Sequence, residues 1–203
     1  MKGKIVVTLL GMALIAGILS GCVEQQPPAP ENQAPEASFT YSPTTIYVNT
    51  TNVTFTDTST DDGTIVSWEW DLGDGTTATT QNVTHMYTSV GTYTVTLKVT
   101  DDQGVNDTAT QYITVSYNPP SASFSYQPQE NITVNTTITF TDNSTQGDAA
   151  IVNYTWNFGD GNISYERNTT HIYSAAGNYT VTLTVEDENG LTDTETATIT
   201  VEE

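Results

Sequence analysis

The residues best suited to chemistry in this sequence are two histidines, one cysteine and 24 carboxylates. Catalysis needs a base, a nucleophile or a metal, held with a partner group in one pocket. His85 and His171 occupy equivalent positions in two repeated blocks, so neither has an obvious partner, and each is expected to pack beside the last strands of its own domain. No glycine-rich phosphate loop or zinc-ligand spacing occurs. We therefore expect no catalytic residues and no enzymatic activity.

The single cysteine, Cys22, follows an apolar leader that begins with two lysines. The apolar run of about 15 residues is shorter than the ~20 that cross a bilayer as a helix, and small residues precede the cysteine. The segment Leu19-Ser20-Gly21-Cys22 resembles the lipobox of prokaryotic lipoproteins. The resemblance implies that residues 1–21 are a signal peptide and that Cys22 carries the lipid that anchors the protein outside the membrane. The alternative is an ordinary signal peptide with an incidental cysteine.

The composition is strongly acidic, with a net charge of −20. Cleavage before Cys22 removes Lys2 and Lys4 and no carboxylate, which makes the mature charge −22. Such a surface repels phosphate backbones, so nucleic-acid binding is excluded. The charge either forms a solvated surface or serves a specific role in binding cations.

Beyond the leader, the chain divides into a tether and two copies of one unit. Residues 22–34 are rich in proline and glutamine and are expected to form an extended spacer. Two blocks then recur, at a spacing of 85 residues before the first tryptophans and 86 residues from Trp70 onward, so one residue is inserted between the two parts. A repeat of this length suits an independent domain, and we place the domains at 35–117 and 118–203.

Each copy shows the period-two alternation of half-buried strands. Tyr93, Val95, Leu97 and Val99 alternate with polar residues, and the second copy repeats the pattern. Roughly seven short strands separated by turn signals predict two tandem immunoglobulin-like β-sandwiches, an all-β fold.

A further set of motifs occurs in both copies, and it resembles the PKD (polycystic kidney disease) domain family. The family pattern is Trp-Asp-Phe-Gly-Asp-Gly, then His-x-Tyr, then Gly-x-Tyr-x-Val-x-Leu; here Leu72 and Asn157 depart from it. The motif residues, which we interpret as structural, are Trp70, Gly73, Asp74, Gly75, Tyr93, Trp156, Gly159, Asp160, Gly161 and Tyr179. Exposed tryptophans that stack on carbohydrate are the alternative for Trp70 and Trp156, and the role of Trp68 stays open.

Acidic loops suggest a calcium site at one end of each sandwich, where three loops meet in this fold. Hard oxygen ligands suit Ca²⁺, and calcium binding by some PKD domains of secreted collagenases supports the idea. The candidates are Asn32, Asp61, Asp62, Asp101 and Asp102 in the first copy, and Asn118, Asp148 and Asp187, as their equivalents, in the second. Ordinary acidic turns are the alternative.

Asn-x-Ser/Thr triplets are frequent and predict a glycosylated exterior, which favours an archaeal envelope over a bacterial one. They begin at Asn49, Asn52, Asn82, Asn106, Asn131, Asn135, Asn143, Asn153, Asn162, Asn168 and Asn178. The leading hypothesis is a lipid-anchored surface protein that binds another surface protein or a glycan. A passive spacer and an accessory carbohydrate-binding lipoprotein of an uptake or hydrolase system are the alternatives.

Overall fold

The computed structural model describes residues 31–203, in which the two repeats form β-sandwiches with separate hydrophobic cores. The predicted signal peptide, Cys22 and most of the predicted tether lie outside these residues. No helix occurs in the described range, so none there could span a membrane. Two tandem immunoglobulin-like domains confirm the predicted all-β fold.

The first domain contains eight strands. They are β1 (Phe39–Ser42), β2 (Ile46–Tyr47), β3 (Val53–Asp57), β4 (Ile65–Asp71), β5 (Thr77–Ala78), β6 (Val83–His85), β7 (Gly91–Asp101) and β8 (Asn106–Ser116). One sheet has the order β1-β3-β6 and the other the order β2-β8-β7-β4-β5. The pairs are antiparallel except for β2 with β8, which is parallel.

The second domain contains seven strands with the same topology. They are β9 (Phe124–Gln127), β10 (Thr137–Asp142), β11 (Ile151–Asn157), β12 (Ile163–Ser164), β13 (Thr169–Ile172), β14 (Gly177–Asp187) and β15 (Thr192–Val201). The sheets are ordered β13-β10-β9 and β12-β11-β14-β15. A single parallel bridge between Thr133 and Glu202 takes the place of the β2–β8 pair.

The tryptophans of the repeated motif fill the centre of each core. Trp70 is 2% exposed and Trp156 is fully buried, and the ring of a β1 or β9 phenylalanine meets each indole edge-on at 5.1 Å. The alternation on β7 and β14, the neighbours of the tryptophan strands in the same sheet, supplies aliphatic side chains beside the indoles, because every second residue points into the core. Buried indoles cannot offer a face to sugar, so the carbohydrate-stacking alternative fails for Trp70 and Trp156.

Each strand that carries a motif tryptophan is paired with a neighbouring strand along only part of one edge. β4 pairs with β5 through Trp70 and Asp71, and β11 pairs with β12 through Trp156 and Asn157. The first half of each strand therefore borders an opening between the two sheets. Trp68 lies beside this opening, half-buried and on the same strand face as Trp70.

Candidate functional site

The repeated histidine is bound to the repeated Gly-Asp-Gly turn. Oδ1 of Asp74 accepts a hydrogen bond from the Thr76 N–H at 2.9 Å, and its Oδ2 lies 2.7 Å from Nε2 of His85, which ends β6 in the opposite sheet. Burial raises the pKa of Asp74, but the Thr76 N–H and the His85 side chain outweigh that effect, so its pKa lies below the ordinary value. The second domain repeats the pair with Asp160 and His171 at 2.8 Å. Each histidine therefore has a partner, contrary to the expectation from sequence, and it joins the two sheets.

The tyrosine two residues after each histidine holds the same turn from inside. The hydroxyl of Tyr87 donates to the Leu72 carbonyl at 2.9 Å, and that of Tyr173 donates to the Phe158 carbonyl at 2.8 Å. Both tyrosines are buried, and burial raises the pKa of each, so the hydroxyls stay protonated and donate. The side chains of the repeated motif are thus occupied by contacts within each domain.

The predicted calcium end of the first domain gathers several of the expected residues. Nδ2 of Asn32 donates to Oδ2 of Asp101 at 2.7 Å, and Nε2 of Gln103 donates to Oδ1 of Asn32 at 2.8 Å. The Asn32 amide lowers the pKa of Asp101. The main-chain and side-chain nitrogens of Gln33 donate to Asp62. Two residues assigned to the tether are therefore bound to the first domain.

At the second domain's equivalent end, one expected correspondence is shifted by a residue. The main-chain nitrogen of Asn118 donates to Asp148 at 2.7 Å, as that of Gln33 does to Asp62. Asn118 therefore corresponds to Gln33, and Tyr117 stands where the first domain has Asn32. The predicted equivalence of Asn118 with Asn32 is wrong, because the repeat spacing is still 85 residues at this point.

This shift leaves a buried carboxylate without its amide partner. Oδ1 of Asp187 accepts hydrogen bonds from two main-chain N–H groups, but its Oδ2 has no partner among the described residues, although Asp187 is only 2% exposed. Oδ1 of Asp61 is likewise buried without a described partner. No group of three acidic, histidine or cysteine side chains suited to a metal forms within residues 31–203.

A cavity lies at the half-covered edge of each tryptophan strand. The first domain's cavity, here called the Trp68 pocket, measures about 350 Å³ and includes Asp57, Ser59, Asp61, Trp68 and Gln81 in its lining. The corresponding cavity of the second domain, the Arg167 pocket, measures about 180 Å³, and its lining includes Ser144, Gln146, Tyr154 and Arg167. The repeat therefore preserves the place of the cavity while its lining changes.

Hydrogen bonds across the sheets build the Trp68 pocket. Oδ2 of Asp57, at the end of β3, accepts from Nε1 of Trp68 at 2.8 Å and from Nε2 of Gln81 at 3.2 Å, while Oδ1 accepts from the Ser59 N–H. Burial raises the pKa of Asp57, but these hydrogen bonds outweigh it and hold the pKa below the ordinary value. Asp57 is therefore charged at neutral pH.

A family model described as PKD domain matches residues 32–115 and again 117–201. The chain belongs to the PKD domain family. The two matches confirm both the predicted family and its two tandem copies, and the sandwich turn held by histidine and tyrosine accounts for the PKD motif in physical terms.

Curated proteins that resemble this PKD chain are much longer than it is. Pre-pro-metalloprotease PrtV of Vibrio cholerae is 38% identical over 167 residues, which are 81% of this chain and 17% of the relative. Collagenase ColA of Bacillus cereus is 37% identical over 81 residues, 40% of this chain and 8% of the relative. The chain therefore spans less than a fifth of the length of these two relatives.

Two solved structures are similar to parts of the described chain. The PKD1 domain of the Vibrio cholerae metalloprotease PrtV is 36% identical, with a TM-score of 0.38, and the match covers 42% of this chain and all of that one. A carbohydrate-binding module of the β-sandwich superfamily is 22% identical, with a TM-score of 0.42, over 86% of this chain and 87% of the other.

Sequence reasoning missed the Asp74–His85 pair and the chemistry of the Trp68 pocket. A signal for the pair existed, because aspartate and histidine are 11 residues apart in both copies. The pocket had a weaker signal. The changes from Trp68 to Tyr154 and from Gln81 to Arg167 stand out once the two copies are aligned at a spacing of 86.

Proposed function

We propose that this chain is an extracellular, lipid-anchored display protein whose PKD domains bind another surface protein or a glycan. The observation that carries the proposal is that the side chains of the motif repeated in both domains make contacts within each domain, while the lining of the cavity differs between the domains. The two named relatives, a pre-pro-metalloprotease and a collagenase, match this chain over a small part of their length. We assign this chain no catalytic step of its own.

The anchor is tested separately from binding. Cys22→Ala should release the chain from the membrane fraction into the soluble fraction or the medium, because lipid cannot attach to alanine. Mass spectrometry of the wild-type N-terminal peptide should show a lipid-modified Cys22. A Cys22→Ala chain that remains membrane-bound as firmly as the wild type would exclude the lipid anchor.

Binding is tested by cross-linking in native envelopes, followed by mass spectrometry. The control replaces residues 35–203 with two unrelated sandwich domains of equal length behind the same tether. Binding predicts neighbours that the control loses. A spacer predicts that both chains cross-link to the same neighbours. Saturable binding to purified glycans would favour the accessory carbohydrate-binding role over the protein-binding one.

Glycosylation of the exterior forms part of the proposal, and an archaeal envelope is its natural setting. All eleven asparagines of the Asn-x-Ser/Thr triplets are exposed in the structure, so a glycan could be attached without opening a core. Native protein treated with a glycan-cleaving reagent should lose mass. An unchanged mass would refute the modification.

We also propose that a cation, best matched by Ca²⁺, binds at the loop end of each domain. Asp187 Oδ2 supports the proposal, because it is buried without a described partner, and such an oxygen is costly unless a donor or cation meets it. Asp148 and Asp62 are the further candidates from the loops before the tryptophan strands. A bound divalent cation would supply charge neutralisation that stiffens these loops.

Calorimetric titration with Ca²⁺ tests this proposal. The wild type should release or absorb heat and gain thermal stability. Asp187→Asn should lose the heat that the second domain contributes. Asp101→Asn, at the corresponding position of the first domain, should lose the heat that the first domain contributes. Absence of heat, with thermal unfolding unchanged by EDTA, would exclude the cation.

A further inference from the structure

The Arg167 pocket shows which chemistry this place in the fold accepts. Nε of Arg167 donates to Oδ2 of Asp142 at 3.0 Å, and its guanidinium carbon lies 6.0 Å from the centre of the Tyr154 ring. The Asp142 side chain is fully buried, whereas that of Arg167 is 65% exposed. A guanidinium pairs with carboxylates and stacks on aromatic faces, and this pocket offers both kinds of group. The second domain thus supplies its own cation to this pocket.

The first domain has the same carboxylate and a larger aromatic ring, but no cation. Asp57 corresponds to Asp142, Trp68 to Tyr154, and the neutral Gln81 to Arg167. Gln81 reaches Asp57 at 3.2 Å, a longer contact than the 3.0 Å arginine contact in the other copy. The Trp68 pocket therefore has the anionic and aromatic parts of the arrangement without its basic part.

The balance of charge strengthens this contrast. The lining of the Trp68 pocket includes a second carboxylate, Asp61, whose Oδ1 is buried without a partner among residues 31–203. The isolated bridges pair Thr60 with Glu36 and Thr145 with Ser121, so the next residue of the second copy, Gln146, stands at the place of Asp61. One carboxylate faces one guanidinium in the second domain, whereas two carboxylates face no basic side chain in the first.

We propose that the Trp68 pocket binds an arginine side chain presented by a partner protein. The guanidinium would lie against the Trp68 indole, take the place of the Gln81 amide at Asp57, and supply a donor to Asp61. Tryptophan is the aromatic residue with the strongest attraction for cations. The larger volume of this cavity, 350 Å³ against 180 Å³, leaves room for a side chain from outside.

The charge of the whole chain favours the same partner. With a net charge of −20 the molecule attracts basic segments and repels acidic ones at a distance, which raises the rate of encounter. The inference rests on the proposed function, binding of another surface protein, and adds the chemistry of that partner: an exposed segment with arginine at its centre.

Titration followed by NMR tests the pocket directly. The probe is a capped five-residue peptide with arginine between glycine and serine residues, added to the ¹⁵N-labelled chain. The indole N–H signal of Trp68 should shift in a saturable way, while that of Trp156 should stay in place. The same peptide with citrulline, which keeps the shape and lacks the charge, should bind at least about tenfold more weakly. Added salt should weaken the arginine complex.

Two variants exchange the chemistry of the pockets. Gln81→Arg installs the second domain's own arrangement in the first, so it should reduce peptide binding at least about tenfold. An unchanged Trp156 indole signal verifies that the variant is folded. Arg167→Gln empties the second pocket, so amide signals near Tyr154 should begin to respond to the peptide.

The outcomes separate this inference from the broader proposal. Equal shifts with arginine and citrulline peptides, or full binding by Gln81→Arg, would overturn it, as would a Trp68 response to Ca²⁺ or to neutral sugars but not to arginine. Envelope cross-linking of Gln81→Arg is the second readout. If the peptide fails to bind while the wild type and this variant retain the same neighbours, the pocket inference fails and the display function stands.

Discussion

Gly73→Ala is expected to destabilise the first domain far more than Gly75→Ala, although both glycines belong to the same turn. Both have positive φ angles, +83° at Gly73 and +93° at Gly75. A Cβ on Gly73 would lie 2.6 Å from the carbonyl oxygen and 2.9 Å from the nitrogen of Thr94 on β7, whereas a Cβ on Gly75 would have no atom within 4 Å. The two substitutions therefore share backbone strain and differ in steric overlap.

The difference between the two variants can be worked out from these contacts. Left-handed strain costs about 1–2 kcal/mol for a residue with a side chain, and reduced freedom of the unfolded chain returns about 0.4–1 kcal/mol. Both effects are nearly equal at the two positions and cancel in the comparison. Overlap with backbone that cannot rotate away adds about 1–3 kcal/mol, the range for an overpacked site. Gly73→Ala should therefore be less stable than Gly75→Ala by about 1–3 kcal/mol.

Urea unfolding read from the indole N–H signals measures this difference domain by domain. Trp68 and Trp70 report the first domain and Trp156 the second, whose transition should not move. Gly159→Ala and Gly161→Ala repeat the comparison, because a Cβ at the first would lie 2.7 Å from the Thr180 carbonyl oxygen and one at the second would be free. If Gly75→Ala lowers the free energy of unfolding as much as Gly73→Ala does, the positive φ angle and not the closeness of β7 explains why residue 73 is glycine. That result would refute the reasoning.

Three further predictions test other contacts. Tyr87→Phe should destabilise the first domain by about 1–3 kcal/mol, because the buried Leu72 carbonyl loses its donor. The Tyr93 hydroxyl donates to an exposed carbonyl, so Tyr93→Phe should cost less than about 1 kcal/mol in the same urea assay. Equal losses of stability in the two variants would contradict this. The pKa of Asp74 is lowered on folding, so the charged carboxylate stabilises the fold above its ordinary pKa of 3.8, and this stabilisation is lost as pH falls through the folded-state pKa. The Tm of the wild type should therefore drop more steeply from about pH 5 to about pH 3 than the Tm of Asp74→Asn. Parallel Tm curves would count against the Asp74–His85 pair. Gly147→Ala would place a Cβ against the Asn118 carbonyl, so the second domain should lose about 1–3 kcal/mol in thermal unfolding, and an unchanged Tm would show that the junction can shift.

The fold was predictable because its main signals are local. Alternation of apolar and polar residues needs no knowledge of distant contacts, and the buried Val95, Leu97 and Val99 follow from it directly. The turn glycines are also local, because the tight reversal after Trp70 requires positive φ. The single inserted residue was visible as the change of repeat spacing from 85 to 86, and the bridges of Thr60 with Glu36 and of Thr145 with Ser121 place that change after Thr145.

The candidate sites were less predictable because their contacts cross from one sheet to the other. His85 meets Asp74, and Trp68 meets Asp57, through the packing of two sheets, whose offset no periodicity specifies. The expected match of Asn118 with Asn32 failed for a related reason. A shift of one residue moves a side chain to a different neighbour, and loop residues carry no alternation that could fix their register.

Comparison of the two copies indicates where function is to be found. A pattern present in both PKD domains, such as tryptophan, Gly-Asp-Gly, histidine and tyrosine, is explained by contacts inside each domain, so it carries no information about a partner. Positions that differ within an otherwise preserved framework carry that information, because the fold does not require either choice. Gln81 and Arg167 are such a pair, since the same cavity folds with a neutral amide in one domain and a guanidinium in the other. If the proposed binding occurs, the guanidinium that the first domain lacks is the group that a partner would bring.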